Sequence, residues 1–249
     1  RRQLVAGAAG TAYRGRVLAI LGPSGAGKST LLQALAGRLE KTSKLQLSGS
    51  IEPPQTQPGA FIYQDDAFHS RLTVEETLRF AAALRLPASE ASARVAEALI
   101  DYGLADVASS VVGGNKTRGI SGGERKRLAI GASLLAADSF APIFADEPTS
   151  GLDSYQARRV TTTLRESADM RGGGRVVVLS IHQPSWTILE NIDDVVLLGA
   201  GGSTLYYGTK LKMLETLGAM ARCPRPLELS PAEWALEIAS VDPHNADES

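Results

Sequence analysis

The stretch from Gly22 to Thr30 combines residue types that suit phosphate binding. Its pattern, G-x-x-x-x-G-K-[ST], lets consecutive backbone N–H groups surround a polyphosphate at the start of a helix. Lys28 would then reach the β- and γ-phosphates, and the Ser29 hydroxyl would bind Mg²⁺. The motif does not separate kinases, GTPases and ATPases, and a Gly-rich turn is its plainer interpretation. The predicted loop consists of Gly22, Pro23, Ser24, Gly25, Ala26, Gly27, Lys28, Ser29 and Thr30.

A pair of acidic residues, Asp146 and Glu147, follows the apolar residues Ile143-Phe-Ala. Parallel sheets place their ligand sites at the carboxyl ends of strands. Asp146 can orient Mg²⁺ there together with Ser29, and Glu147 can polarise an attacking water as a general base. The alternative is a solvated acidic pair at a strand end, which we disfavour beside a phosphate loop.

A second candidate anion site is the sequence Ser121-Gly122-Gly123-Glu124, which opens a predicted helix. Free amides and the helix dipole would point outward from such a turn. A simple helix cap is the alternative. Because the chain already has one phosphate loop, a second anion-binding turn makes most sense over a nucleotide held by another subunit.

The elements that must position these residues alternate between strands and helices, which predicts a mainly parallel sheet covered on both faces. A helical insertion extends from about Ala67 to Leu135, with a capping box at Thr73 and Glu76. The predicted strands are Arg16–Leu21, Gln46–Ile51, Ala60–Tyr63, Pro142–Ala145, Arg175–Ile181 and Asp194–Leu198. The predicted helices are Ser29–Leu39, Thr73–Leu86, Ser89–Tyr102, Gly122–Ala136 and Ser154–Arg171.

Composition narrows the possible classes of protein. The chain has 249 residues, of which 43% are apolar, so it can bury a sizeable core. A net charge of −1 argues against nucleic-acid binding, which needs a basic surface. The single cysteine excludes an intrachain disulfide. Since no apolar run is long enough to cross a bilayer, we expect the chain as given to be soluble.

Taken together, these motifs resemble the ABC-type ATPases, in which they occur in the same order. More narrowly, the chain resembles the G (White-type) subfamily of half-transporters from about Leu4 to Val241. The stretches that carry this resemblance are Leu72-Thr-Val-Glu-Glu-Thr-Leu, Arg85-Leu-Pro, Gly119-Ile-Ser-Gly-Gly-Glu-Arg-Lys-Arg127, Asp146-Glu-Pro-Thr-Ser-Gly-Leu-Asp-Ser154 and Ile181-His-Gln-Pro-Ser185.

The resemblance implies an α/β fold, with a P-loop NTPase (RecA-like) core of mainly parallel sheet, a small antiparallel β part and an inserted helical subdomain. We expect one nucleotide-binding domain over residues 1–249. Residues 1–66 and 136–249 would form the core and a C-terminal segment. Residues 67–135 would form the helical subdomain that carries Ser121 to Glu124.

Three further roles follow only from the resemblance. Gln64 would contact Mg²⁺ or water and sense a transmembrane partner, so Ser29, Gln64 and Asp146 are the expected metal ligands. His182 would meet the γ-phosphate and support Glu147. Asp153 would belong to the loop that joins the sites of two subunits. The catalytic set implied is Glu147, His182, Lys28 and Gln64.

The implied activity is hydrolysis of ATP with Mg²⁺ in a head-to-tail dimer, formed with an identical or a different nucleotide-binding domain. It would power a membrane exporter of lipid-like or hydrophobic substrates from the cytoplasmic face, through a transmembrane domain following Ser249.

Three alternative classes of protein would differ in sequence. A soluble ABC ATPase of DNA repair or translation would show coiled-coil heptads or tandem domains. A GTPase would need an aspartate in place of Arg118, and a non-hydrolysing regulatory module would carry degenerate motifs.

Overall fold

The computed structural model describes residues 4–39, 46–52, 59–114, 117–135, 141–169, 174–182, 185–221, 225–226 and 228–240. Within them a six-stranded sheet has the order β2-β3-β4-β1-β5-β6, and only the β5–β6 pair is antiparallel. The strands are β1 (Arg16–Leu21), β2 (Ala60–Ile62), β3 (Ile143–Ala145), β4 (Val176–Ile181), β5 (Asp194–Leu198) and β6 (Thr204–Thr209).

Eight α-helices are described alongside the sheet, besides two short 3₁₀ turns. They are α1 (Lys28–Leu35), α2 (Val74–Ala83), α3 (Ala88–Asp101), α4 (Gly122–Leu134), α5 (Ser154–Ala168), α6 (Trp186–Leu189), α7 (Lys210–Ala221) and α8 (Pro231–Ser240). The predicted α/β fold with a mainly parallel sheet is therefore confirmed.

The sheet is buried on both faces, which explains why its central strands are almost continuously apolar. Alternate residues of β1 point to opposite sides, so that Ala19 and Leu21 pack in one cluster and Leu18 and Ile20 in another. The first cluster includes apolar residues of α4, α5 and α8, and the second includes Leu32 of α1. This two-sided burial fixes the strand ends from which the site is built.

A third apolar cluster joins α2, α3 and α4, the helices of the predicted insertion. Helix α2 begins with the predicted capping box: Thr73 Oγ1 accepts from Glu76 N at 3.1 Å, and Thr73 N donates to Glu76 Oε2 at 2.8 Å. Leu78 of α2 and Leu128 of α4 are fully buried in this cluster. The exact division of the chain at residues 66 and 135 stays a prediction.

Several sequence predictions of secondary structure were wrong, including the end of helix α2, which lies at Ala83 and not at Leu86. Residues 46–52 contain no strand; Leu47 and Ile51 are exposed, so no sheet neighbour buries their apolar side chains. The antiparallel pair instead involves β6, which the sequence analysis did not predict. Helix α1 ends at Leu35 and not Leu39, because Gly37 adopts a left-handed conformation with φ of 66° just beyond it. No helix among the described residues is both long and apolar enough to span a membrane.

Candidate nucleotide site

The predicted phosphate loop lies between the end of β1 and the start of α1. Gly27 caps the helix with φ of 90°, a backbone conformation that residues other than glycine rarely adopt. A Cβ atom there would lie 2.6 Å from the carbonyl oxygen of Leu4, so the close approach of the N-terminal segment also requires glycine. The loop thus presents the first amides of α1 at its open end.

Lys28, the first residue of α1, is only 5% exposed, and its ammonium group bridges the loop. Its Nζ donates to the carbonyl oxygens of Gly22 and Pro23, at 3.0 Å each. Burial lowers the pKa of Lys28, while the charges of Glu147 and Asp146 oppose that shift. The cation and the two carboxylates therefore share one electrostatic environment, as a nucleotide-phosphate site requires.

Ser29 and Asp146 meet as the sequence analysis predicted. Ser29 Oγ donates to Asp146 Oδ1 at 2.8 Å, and Asp146 is 8% exposed at the carboxyl end of β3. The Asp146 amide donates to Ile62 O at 2.9 Å, which extends the pairing of β2 with β3 by one residue. A hydroxyl and a carboxylate oxygen are therefore held side by side at the sheet edge.

The peptide between Asp146 and Glu147 is held by a residue from the neighbouring strand. Ser180 of β4 donates through Oγ to Asp146 Oδ1 at 2.6 Å and accepts from Glu147 N at 2.8 Å. Glu147 has φ of 42° and is the only non-glycine residue with positive φ in the part of the chain described. Such a conformation costs of order 1 kcal/mol and persists where surrounding contacts impose it.

Glu147 lies near two other predicted site residues. Gln64 Nε2 donates to Glu147 Oε2 at 3.1 Å, which places the glutamine after β2 beside the carboxylate after β3. His182, directly after β4, lines a cavity of about 400 Å³ together with Glu147 and residues 149–151. The structure thus brings Gln64, Glu147 and His182 to the same sheet edge.

The Ser121–Glu124 turn forms the start of α4, as predicted. Ser121 Oγ accepts from Glu124 N at 3.3 Å and Ser121 N donates to Glu124 Oε2 at 2.7 Å, which completes a capping box. A Cβ on Gly123 would overlap the side chain of Gln156 in α5. Asp153 caps α5 by accepting from Gln156 N at 2.8 Å. The turn and the Asp153 loop are therefore packed together.

Three polar residues of the site region were missed by the sequence analysis. Ser180 is one, and its signal was a single hydroxyl in the apolar strand Val176–Ile181. The others are Lys126 and Asp66, whose charged groups lie 2.9 Å apart with both side chains almost fully buried. Lys126 Nζ also donates to the carbonyl oxygens of Tyr63 and Gln64, at 3.0 Å each. These contacts link α4 to residues 63–66, which include Gln64 and are called the glutamine loop below.

The chemistry of the donor set fits Mg²⁺. Ser29 and Asp146 offer hard oxygen atoms, and Mg²⁺ is usually held by one or two protein carboxylates together with substrate phosphates and water. Among the described residues no group of three or more His, Cys, Asp or Glu side chains could form a denser metal cage. The arrangement therefore suits a metal that arrives with a nucleotide.

Comparison with known proteins agrees with this geometry. The family model described as "ABC transporter" matches residues 5–150, more than half of the chain. The chain belongs to the ABC transporter family. The match covers the phosphate loop, the Ser121 turn and the Asp146–Glu147 pair, and it supports the P-loop NTPase core predicted from the sequence.

Similar proteins place the chain beside the G members of the ABC transporter family. ABC transporter G family member 7 of Arabidopsis thaliana is 44% identical over 251 residues, which cover 97% of this chain and 34% of that protein. Member 14 of the same plant is 41% identical, covering 97% and 37%. Member 5 of Oryza sativa subsp. japonica is 41% identical, covering 95% and 30%. The predicted resemblance to the G subfamily is confirmed, and the chain spans about a third of the length of these relatives.

Proposed function

We propose that the chain is the ATP-binding and ATP-hydrolysing domain of a G-family ABC transporter. The observation that carries the proposal is the convergence of Lys28, Ser29, Asp146 and Glu147 at the carboxyl edge of the parallel sheet. Membership of the ABC transporter family supports it. ATP is the expected nucleotide, with Mg²⁺ as the metal.

In this proposal the loop amides and Lys28 bind the phosphates. The Lys28 ammonium exchanges its hydrogen bonds to the loop carbonyls for hydrogen bonds to β- and γ-phosphate oxygens. The negative charge of these oxygens compensates the positive charge that burial disfavours. Ser29 and Asp146 would hold Mg²⁺, and Gln64 would contact the ion or water. When bound, the ion neutralises charge that develops on the phosphate oxygens.

Glu147 is the proposed general base. Its carboxylate accepts a proton from water, the water oxygen bonds to the γ-phosphorus, and the bond from that phosphorus to the ADP oxygen breaks. Gln64 orients Oε2 of Glu147, to which it already donates. His182 borders the same cavity of about 400 Å³, where its imidazole can meet the γ-phosphate. Positioning and electrostatic stabilisation supply most of the catalysis.

The second anion site is proposed to act on a nucleotide held by a second nucleotide-binding domain, identical or different. The capping box leaves the amides of Gly122 and Gly123 at the start of α4, where the helix dipole favours a phosphate. Ser121 and these two amides would clamp the partner's γ-phosphate in a head-to-tail dimer. Asp153 would help to join the two sites, since its loop packs against the same turn.

The proposed output is transport across a membrane. A cavity of about 680 Å³ beside the glutamine loop is lined by Tyr63, Asp65, Phe68 and Arg85, among others, and could receive a segment of the transmembrane part. Movement of that segment would reach Glu147 through Gln64. By family resemblance the cargo is lipid-like or hydrophobic, and this domain works at the cytoplasmic face.

The test compares hydrolysis of ATP and GTP by the wild type and by Glu147→Gln, with the oligomeric state followed by light scattering in Mg-ATP. We expect ATP turnover that rises with the square of protein concentration, and a Glu147→Gln variant that keeps only a small residual rate and accumulates as an ATP-bound dimer. Equal rates for the two proteins would overturn the assignment of the base. Tight ATP binding without any turnover by the wild type would favour a regulatory module.

A further inference from the structure

We propose that Ser180 is a positioning residue for hydrolysis, which sets the backbone of Glu147 so that its carboxylate faces the attacking water. The inference rests on the proposed function, because it assumes that Glu147 is the base. Ser180 does not touch the nucleotide in this scheme. It acts through the peptide that joins Asp146 to Glu147.

Burial makes the Ser180 hydroxyl unusual. It is the only hydroxyl in β4, where the other five residues are Val, Leu or Ile, and the residue is 0% exposed. A hydroxyl placed in such a strand loses its hydration, so it is tolerated only where both its donor and acceptor capacities are used. Ser180 meets that condition with two residues of the candidate site.

The direction of each hydrogen bond follows from the chemistry of the partners. The Glu147 amide can only donate, so Ser180 Oγ accepts from it at 2.8 Å. The single hydroxyl proton is then available for Asp146 Oδ1, 2.6 Å away. The hydroxyl therefore orients the Glu147 amide and one carboxylate oxygen of Asp146 at the same time.

This contact matters because Glu147 occupies a conformation that its own chain disfavours. With φ of 42°, the residue would gain by relaxing to negative φ, and that rotation would carry its carboxylate to a different direction. The bond from Glu147 N to Ser180 fixes the peptide group before the Cα atom, and the bond from Ser150 N to Glu147 O at 3.0 Å fixes the peptide group after it, so that together they oppose the rotation. Gln64 holds only the far end of the side chain.

Removing the hydroxyl should separate catalysis from binding. In Ser180→Ala the phosphate loop and the Ser29–Asp146 pair keep their own contacts, so the KM for ATP should stay within about twofold of the wild type. The kcat should fall by about 10- to 100-fold, the effect expected of a displacement of about 1 Å in a catalytic group. The thiol of Ser180→Cys is close in size to the hydroxyl but forms weaker hydrogen bonds, so the kcat of this variant should lie between those of the wild type and Ser180→Ala.

Ser167→Ala is the matched control. Ser167 is 6% exposed in α5, and its hydroxyl donates to Thr163 O at 2.8 Å, so this variant also loses one buried hydroxyl. Both variants should lower the unfolding free energy by a similar amount, measured in urea. Only Ser180→Ala should lose kcat. An equal loss of kcat in both would show that Ser180 is merely structural and would overturn the proposal.

The dependence on Glu147 is tested in the double variant. If Ser180 acts through that carboxylate, Ser180→Ala should slow the wild type but leave the residual rate of Glu147→Gln unchanged. The same fold-loss in both backgrounds, or an undiminished kcat in Ser180→Ala alone, would overturn the inference while the proposed function stands. If Glu147→Gln itself hydrolyses ATP at the wild-type rate, the assigned base is wrong and the role of Ser180 falls with it, whereas a wild type that does not hydrolyse ATP at all would refute the proposed function.

Discussion

Ser29 and Asp146, separated by 117 positions in the sequence, are joined by a hydrogen bond of 2.8 Å from Oγ to Oδ1. Ser29 lies in the first turn of α1 and Asp146 directly follows β3, so the bond ties the phosphate loop to the opposite side of the site. The two oxygens are close enough to coordinate one cation. In the proposed function this pair would hold Mg²⁺ between the phosphate loop and the end of β3.

Loss of either partner should therefore remove the Mg²⁺-dependent part of ATP binding. We expect Ser29→Ala and Asp146→Asn to bind ATP about equally well in Mg²⁺ and in EDTA, whereas the wild type gains of order 10-fold or more from Mg²⁺. Isothermal titration calorimetry of each protein under both conditions checks this, and the EDTA values serve as the internal control. Retention of the full Mg²⁺ gain by both variants would contradict the assigned ligands.

The positive φ of Glu147 predicts an inverted order of stability for two substitutions. In a regular element glycine is less stable than alanine by roughly 0.5–1 kcal/mol, but a left-handed backbone costs an alanine about 1–2 kcal/mol. We expect Glu147→Gly to be more stable than Glu147→Ala by about 0.5–1 kcal/mol in urea unfolding. The same pair of substitutions at Glu97, in helix α3, should show the ordinary order. An ordinary order at both positions would rule out the strained backbone.

The two capping boxes allow the anion-binding role of Ser121 to be separated from its structural role. Ser121 and Thr73 cap α4 and α2 with the same pair of hydrogen bonds, so replacement of either by alanine should lower the unfolding free energy by about 1 kcal/mol. In the Glu147→Gln background, only Ser121→Ala should weaken ATP-driven dimerisation, measured by light scattering. If Thr73→Ala weakens dimerisation equally, Ser121 acts only as a helix cap and does not bind the phosphate.

Much of the fold could be predicted because apolar pattern and turn chemistry agree along the chain. The strand Asp194–Leu198 was predicted with its observed bounds, since it is a continuous apolar run bounded by charge and glycine. Strand β6 was missed because Thr204–Thr209 is only partly buried and polar, and its pairing with β5 is decided by tertiary contact. The stretch 46–52 carried a strand-like pattern, but it forms no strand, and Leu47 and Ile51 within it are exposed.

The site divides in the same way. Lys28, Asp146 and Glu147 could be predicted because their chemistry is written in contiguous motifs. The bonds of Ser180 to Asp146 and Glu147 span more than 30 positions, and only the sheet order, with β4 beside β3, brings them together. The sequence shows Ser180 only as a single serine in an apolar strand, and it does not show that this serine lies near Asp146 and Glu147. The contact between Lys126 and Asp66 escaped prediction for the same reason.

That buried contact predicts a pH-dependent stability. Burial raises the pKa of Asp66. The positive charge of Lys126, and to a smaller extent that of Arg125, limits the rise, while the negative charge of Asp65 adds to it. Lys126→Met removes the main counter-charge, so the pKa of Asp66 should rise further, and the variant should lose about 3 kcal/mol of unfolding free energy near neutral pH.

The sign follows from linkage. A carboxyl whose pKa is higher in the folded than in the unfolded state favours folding most at low pH, and this contribution is lost as pH rises through the folded-state pKa. The deficit of Lys126→Met relative to wild type should therefore shrink as pH falls toward 4.5. Lys126→Met/Asp66→Asn is the control, because it lacks the titrating group and its deficit should not vary with pH in the same way. Urea unfolding of the three proteins between pH 4.5 and pH 8 measures the deficit in unfolding free energy. If the deficit of Lys126→Met is the same at every pH, the loss comes from the carbonyl oxygens of Tyr63 and Gln64, which no longer accept a hydrogen bond from Lys126, and not from the carboxylate.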